Sequence, residues 1–367
     1  MTMPLTNNPP TTAAQADNLP ATAAQADNLP APAAQADNLP EKSPVPQYYK
    51  SIDIAKFIAA ATVVAIHTEA FCQFRMLDMG FGVISRLAVP LFFLISGFFF
   101  FSKPVTLPRV LHTVKRLLIL YVIYSAFFTL LRLILKTPLS LDDLYVFLFR
   151  GGFYHLWFLV ALITGIVLTA TLQAFMKKWA ILAIAAVLYI LGLMLGTYYP
   201  VFASFQPIAS LYDLLNVNQY GVRNGFFYGF LFVANGLALA KIKRLPSFKL
   251  SIALMLLTTG MLFAETWIAV VLLKSTSRIQ WLSCIPVTFF MMLCLLQLKN
   301  IRFDTRFIRK TATFIYLIHP AFIFILKTYM SPGLLMFTIT FIASLLLAVL
   351  IIKATSYKRL KFLNYLI

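Results

Sequence analysis

The sequence predicts an all-α polytopic membrane protein of about ten transmembrane helices with both termini cytoplasmic. Three observations predict it. The 367 residues are 60% hydrophobic and 12% charged, about half the charged share of a soluble domain. Mostly apolar stretches of about 20 residues, the length that spans a bilayer core, recur at 54–71, 86–102, 117–135, 156–175, 179–196, 225–240, 251–273, 279–298, 311–328 and 332–352. With that helix count, 21 of the 31 Lys and Arg residues fall on the side of the two termini, 8 fall in the opposite loops, and Lys56 and Arg132 lie within helices. Such a bias places the richer side in the cytoplasm. It also accounts for the net charge of +19, so nucleic acid is not an expected partner. Continuous apolar runs exclude an outer-membrane barrel, whose strands alternate.

Residues 1–47 precede the membrane domain. AAQADNLP occurs at 13–20, 23–30 and 33–40. The recurring Pro and scarce apolar residues predict a disordered tail. The period of ten is too short for a solenoid. The membrane domain is expected over 48–355 and a basic cytoplasmic C-tail over 356–367. Residues 1–50 are too polar for a cleavable signal peptide, so the first helix reads as an uncleaved anchor.

That first helix, in SIDIAKFIAAATVVAIHTEAF, carries Asp53, Lys56 and His67 on one stripe. At about 100° per residue Lys56 and His67 end roughly 20° apart in azimuth, and Asp53 falls within about 60° of both. The helical rise separates Lys56 from His67 by about 16 Å along the axis. Ionisable groups are costly at this depth and mark function by default. His67 suits a proton-transfer role; a satisfied packing histidine is the alternative. Glu69 is adjacent in sequence but about 200° around the helix. Glu265, in MLFAETWIAVVLL, lies at a matching depth, where it would orient the imidazole or bond to other helices. Asp53 and Lys56 have the spacing of an ion pair, although Lys56 is equally suited to an anionic ligand.

Within 86–102, SRLAVPLFFLISGFFFF combines Pro90 with Ser96-Gly97, residues that kink a membrane helix and let a neighbour approach. PRVLHTVKRLLILY brings Arg109, His112, Lys115 and Arg116 to the cytoplasmic entrance of the third helix; the cluster suits phosphates or is ordinary loop charge. HLWFLVALI sets His155 and Trp157 at an outer boundary. The outer loops 136–155 and 197–224, rich in aromatics, are expected to be ordered, as sugar-stacking surfaces or as an interfacial belt. TATFIYLIHP puts Tyr316 and His319 mid-helix before Pro320, where they either satisfy backbone freed by the proline or bind substrate. Cys72, Cys284 and Cys294 have no spacing for a disulfide framework or a metal.

In order along the chain, DIAKFIAAATVVAIHT, RLAVPLFFLISGFFF, KRLLILYVIYS, HLWFLVAL, GFFYGFLFVANG and FIYLIHP resemble acyltransferase family 3, the multispan bacterial membrane O-acyltransferases. The resemblance covers most of 53–328. It implies about ten helices, an inner-membrane location and transfer of an acyl group to a carbohydrate hydroxyl. The donor substrate is usually acetyl-CoA, with no bound cofactor. It implies His67 as the catalytic residue; Glu265 and Glu69, read from their positions along the chain, are the candidate helpers. Asp53, Lys56, Lys115 and Arg116 are the candidate donor-binding groups, and His155, Trp157, Tyr316 and His319 the candidate acceptor-binding groups. The implied partners are acyl-CoA, a carbohydrate or lipid-linked glycan, and membrane lipid. Two positions depart from the family pattern: Lys56 stands for an Arg, and Thr113 replaces the first Arg of an Arg-x-x-Arg pair, leaving Arg116 with Lys115 or Arg109 to compensate. An exporter of polysaccharide or lipid-linked sugar and an assembly scaffold are the other classes. A transporter of this kind predicts inverted repeats, and the two halves show no such symmetry.

Overall fold

The computed structural model describes residues 48–136, 155–217, 221–275 and 280–366, together with Ser140 and Val146. The expected tail 1–47 and most of loop 136–155 lie outside the described residues. The described chain is helical. In order it forms α1 (Lys50–His67), α2 (Arg75–Ile84), α3 (Ala88–Phe101), α4 (Leu107–Ile134), α5 (Trp157–Gln173), α6 (Lys178–Leu195), α7 (Tyr199–Phe202) and α8 (Gln206–Leu214). Then come α9 (Phe230–Ala240), α10 (Phe248–Trp267), α11 (Cys284–Gln297), α12 (Arg306–Leu326) and α13 (Leu334–Ala354). A 3₁₀ turn, Ser85–Leu87, joins α2 to α3, and a π-helical turn, Gly225–Gly229, leads into α9.

Among the described residues, six helical segments are long and apolar enough to cross a membrane: Arg75–Phe101, Leu107–Ile134, Lys178–Leu195, Phe248–Leu272, Arg306–Leu326 and Leu334–Ala354. Trp157–Gln173, Gly225–Ala240 and Cys284–Gln297 are apolar but shorter. Helix α1 carries Lys50, Asp53 and Lys56. Each of the ten apolar stretches in the sequence coincides with a helix. The Arg75–Phe101 segment is mostly buried, whereas α4, α10 and α13 turn most of their side chains outward, as lipid-facing helices do.

Helices α3 and α9 cross closely, backbone against backbone. A Cβ on Gly97 would stand 2.4 Å from the Val233 carbonyl oxygen, and one on Gly236 would stand 2.4 Å from the Phe98 amide nitrogen. Two glycines facing each other's backbones are the membrane route to close contact, because lipid supplies no hydrophobic drive between helices. The surrounding core is aromatic, with Phe93, Phe101, Phe128, Phe230, Phe232 and Trp281 fully buried. Beside α3 runs α1, which also packs on α12.

Loop 197–224 is ordered over its described part. It folds as α7 and α8 around Leu195, Ile208, Val217 and Val222, and Tyr199 and Tyr212 stack with ring centroids 3.8 Å apart. The C-terminal 3₁₀ run Lys358–Leu366 returns to α4, where the Tyr124 hydroxyl donates to the Leu366 carbonyl at 3.1 Å.

Candidate active site

Three imidazoles converge where α1 ends. His67 closes α1, and its ring centroid lies 5.3 Å from that of His319 in the middle of α12. The ring of His155, just before α5, is 5.1 Å from that of His319. His155 is 2% exposed and His319 is fully buried. His67 is half-buried. Pro320 explains the local geometry of α12. It has no N–H to offer Tyr316, four residues back. The His319 Nδ1 lies 2.9 Å from the Tyr316 oxygen and 3.1 Å from that of Ile315. His155 Nε2 lies 3.1 Å from the Leu317 carbonyl oxygen, and the Tyr316 hydroxyl donates to the His155 carbonyl at 3.0 Å. The other ring nitrogens, His155 Nδ1 and His319 Nε2, are buried without a hydrogen-bond partner. Buried polar atoms in that state call for an explanation.

His155 and Trp157, expected at an outer boundary, pack against neighbouring helices near the end of α1. His155 stands edge-on to Phe128 and Tyr316, and half-buried Trp157 packs on Phe93 and Tyr228. The aromatic rings of α3, α5 and the π-helical turn draw both residues inward.

The charges that act on His67 are the guanidinium groups of Arg223 and Arg86. Sequence spacing gave no sign of this, because the two arginines are 137 positions apart and belong to a loop and a 3₁₀ turn. The expected pairing of His67 with Glu265 is not formed. The Glu265 carboxylate accepts from the backbone N–H of Leu282 at 2.6 Å, from that of Ser283 at 2.7 Å and from the Tyr198 hydroxyl. It therefore fastens the turn that leads into α11, which begins at Cys284. Burial, and then the hydrogen bond to Glu265, raise the Tyr198 phenol above its ordinary pKa, so it stays protonated as a donor. Glu69 falls beyond the end of α1, in the left-handed conformation (φ 49°), and is exposed.

At the other end of α1, buried Asp53 accepts from the Tyr48 hydroxyl at 2.7 Å and from Thr305 Oγ1 at 2.9 Å. These hydroxyls replace the Asp53–Lys56 ion pair that the spacing suggested. The charges acting on Lys56 are Asp53 and two cations, Arg309 of α12 and Arg116 of α4. Arg309 is the member of this cluster that sequence reasoning missed. Its signal was the positive-inside loop, in which no single residue stands out. Lys115 is exposed on the outward side of α4, which also carries exposed Leu111, Leu118 and Val122. Arg109 does not replace the missing family arginine. It donates to the carbonyls of Phe99 and Phe100 in the last turn of α3 and of Lys103 and Pro104 just past it, and lies over the Phe100 ring at 4.5 Å. Thr113 donates back to the Arg109 carbonyl within α4.

The family model described as "Acyltransferase domain", family 3, matches residues 49–353. An "Amino-acid racemase" of Enterococcus faecalis is 30% identical over 203 residues, 51% of this chain and 27% of that protein. A "Serine/alanine racemase" of Enterococcus gallinarum is 31% identical over 207 residues, 52% of this chain and 29% of that protein. A second Enterococcus faecalis "Amino-acid racemase" is 26% identical over 325 residues, 82% of this chain and 46% of that protein. The chain thus spans less than half the length of each relative. No solved structure matches it.

Proposed function

The chain belongs to acyltransferase family 3, and on that premise we propose that it moves an acyl group, acetyl from acetyl-CoA, to a hydroxyl of a surface polysaccharide or its lipid-linked precursor. In this reading the enzyme spans the bacterial inner membrane about ten times, with both termini cytoplasmic. The observation that carries the proposal is the two-ended layout of α1: cations Lys56, Arg116 and Arg309 at its start, and the histidine cluster at its end. The cationic end suits the phosphates of CoA, since Lys and Arg supply charge-assisted hydrogen bonds. The helical rise between Lys56 and His67, about 16 Å, is one that an extended pantetheine arm spans.

His67 takes the proton of the acceptor hydroxyl as the oxygen attacks the thioester carbonyl. The C–S bond then breaks, and the thiolate recovers a proton from the imidazolium. Arg86 and Arg223 stabilise the negative charge that builds on the carbonyl oxygen. Trp157 offers a half-buried ring face to the sugar beside Tyr228. Burial of the site protects the thioester from water. Racemisation, the activity in the relatives' names, is not proposed for a chain that spans less than half of each.

The test is the O-acetyl content of surface polysaccharide, read by NMR, in a deletion strain complemented with wild type or His67→Ala at equal membrane levels. The expected result is acetyl signal restored by wild type alone. Unchanged acetyl content with collapsed glycan export would replace the proposal with an exporter. Restoration by His67→Ala would remove His67 from the chemistry.

A further inference from the structure

We infer that the Tyr228 hydroxyl donates to the acceptor sugar that stacks on Trp157, and so helps to select the acceptor; the inference rests on the acyltransferase reading. The placement begins with the backbone. Tyr228 lies in the π-helical turn Gly225–Gly229, a conformation that is rare and gathers at functional sites. Asn224 holds the start of the turn, its side-chain oxygen accepting from the Phe226 and Phe227 N–H groups at 2.9 Å. Two glycines let the turn press against α5. A Cβ on Gly225 would collide with the Thr164 side chain, and one on Gly229 would stand 2.9 Å from the Ala161 oxygen. Trp157, Ala161 and Thr164 have the spacing of one helix face. The docked turn therefore delivers Tyr228 to Trp157, with ring centroids 5.8 Å apart and planes at 69°.

Four rings frame that of Tyr228: Trp157, Phe93, Tyr189 and Phe232. A phenylalanine would satisfy such packing, so the hydroxyl is the part that calls for a reason. Buried tyrosine hydroxyls usually find a partner. Tyr189 donates to the Trp281 carbonyl at 2.8 Å, and Tyr316 to the His155 carbonyl at 3.0 Å. Among the described residues, the Tyr228 hydroxyl makes no hydrogen bond, although the residue is only 4% exposed. The guanidinium charges of Arg86 and Arg223 act on Tyr228 and on His67 alike, which sets the hydroxyl near the same cations as the proposed base. A ligand with an apolar face and hydroxyls along its rim matches this corner. The half-buried Trp157 ring takes the face, and Tyr228 donates to one rim oxygen. Stacking alone leaves a sugar free to turn in its plane; the added hydrogen bond fixes one orientation, and with it the hydroxyl presented for acylation.

The experiment uses the full chain in nanodiscs and, as probe, oligosaccharides released from the polysaccharide of the deletion strain. Isothermal titration gives their Kd, radiolabelled acetyl transfer gives the kinetics, and thermal unfolding gives the stability. Tyr228→Phe keeps the ring and removes the hydroxyl. The expected result is a Kd raised about tenfold, the scale of one lost hydrogen bond that leaves a polar group unpaired, with the melting temperature and the KM for acetyl-CoA unchanged. Tyr189→Phe is the comparison. It leaves the Trp281 carbonyl without that donor, so it should lower the melting temperature and leave the Kd alone. An unchanged Kd in Tyr228→Phe would overturn the inference, as would a melting temperature lowered as far as in Tyr189→Phe, the mark of a hydroxyl bonded within the protein. Oligosaccharide that does not bind wild type would overturn it too. Failure of the acyltransferase reading shows separately, as wild type that binds the oligosaccharide and transfers no acetyl.

Discussion

Replacing Glu265 by glutamine separates a structural anchor from a catalytic acid. The carboxylate accepts two backbone N–H bonds in the turn that leads into α11, at 2.6 and 2.7 Å, and one from Tyr198. In glutamine one oxygen becomes an NH₂ group that can only donate, so one of those N–H groups faces a second donor. A hydrogen bond to a charged group contributes about 1.5–3 kcal/mol, and a carboxylate at a helix start adds roughly 0.3–1 kcal/mol when partly exposed. Because Glu265 is half-buried, the lower part of that range applies, and we expect Glu265→Gln to destabilise the protein by about 2 kcal/mol. The assay is thermal unfolding in detergent by fluorescence-detected size exclusion, paired with acyl transfer per folded molecule. The expected result is a lower melting temperature with specific activity within about threefold of wild type. Specific activity reduced by about a hundredfold or more, the scale of general acid–base catalysis, with unchanged melting would refute the anchoring argument and restore Glu265 to the chemistry.

Other perturbations test the remaining parts. Lys56→Met or Arg309→Ala removes one cation from the proposed donor site; at about 1.5–3 kcal/mol per charge-assisted bond the KM for acetyl-CoA should rise roughly ten- to a hundredfold with little change in kcat, measured by radiolabelled acetyl transfer. Gly97→Ala forces a Cβ to 2.4 Å from the Val233 oxygen, and overpacking of about 1–3 kcal/mol should show as reduced yield of monodisperse protein, whereas Gly260→Ala, which meets nothing within 4 Å, should behave as wild type. Tyr48→Phe leaves Asp53 with Thr305 as its hydroxyl donor and should lower the melting temperature by the equivalent of about 1 kcal/mol, read in the same unfolding assay.

The helices were legible because a bilayer-length apolar run has few alternative readings, and each of the ten runs coincides with a helix. The stripe on α1 was legible for the same reason, since charge stands out against such a background. Side-chain partners were not. Asp53 and Lys56 have ion-pair spacing, yet a loop brings the Thr305 hydroxyl to the carboxylate. Glu265 matches His67 in depth, yet depth along separate helices says nothing about azimuth, and Glu265 faces the start of α11. Arg86 and Arg223 reach His67 from two irregular segments, where no helical period indicates direction. The spacing of His155 at a helix start gave no sign of its ring partners, Phe128, Tyr316 and His319, which come from two other helices.

Pro320 shows why one residue was read correctly in kind and too narrowly in consequence. A proline inside a helix leaves a carbonyl without its donor, and a neighbouring side chain is expected to fill that role. His319 fills it. Alanine at 319 would leave the Tyr316 oxygen unsatisfied, so the histidine has a structural reason to be there. Yet a serine or threonine hydroxyl also donates to carbonyls within its own helix, and would leave no lone pair facing a second ring. Only an imidazole donates at one edge to the backbone while presenting a fixed acceptor at the other, buried edge. The backbone bond therefore fixes which nitrogen of His319 carries the proton and which keeps its lone pair in the buried cluster.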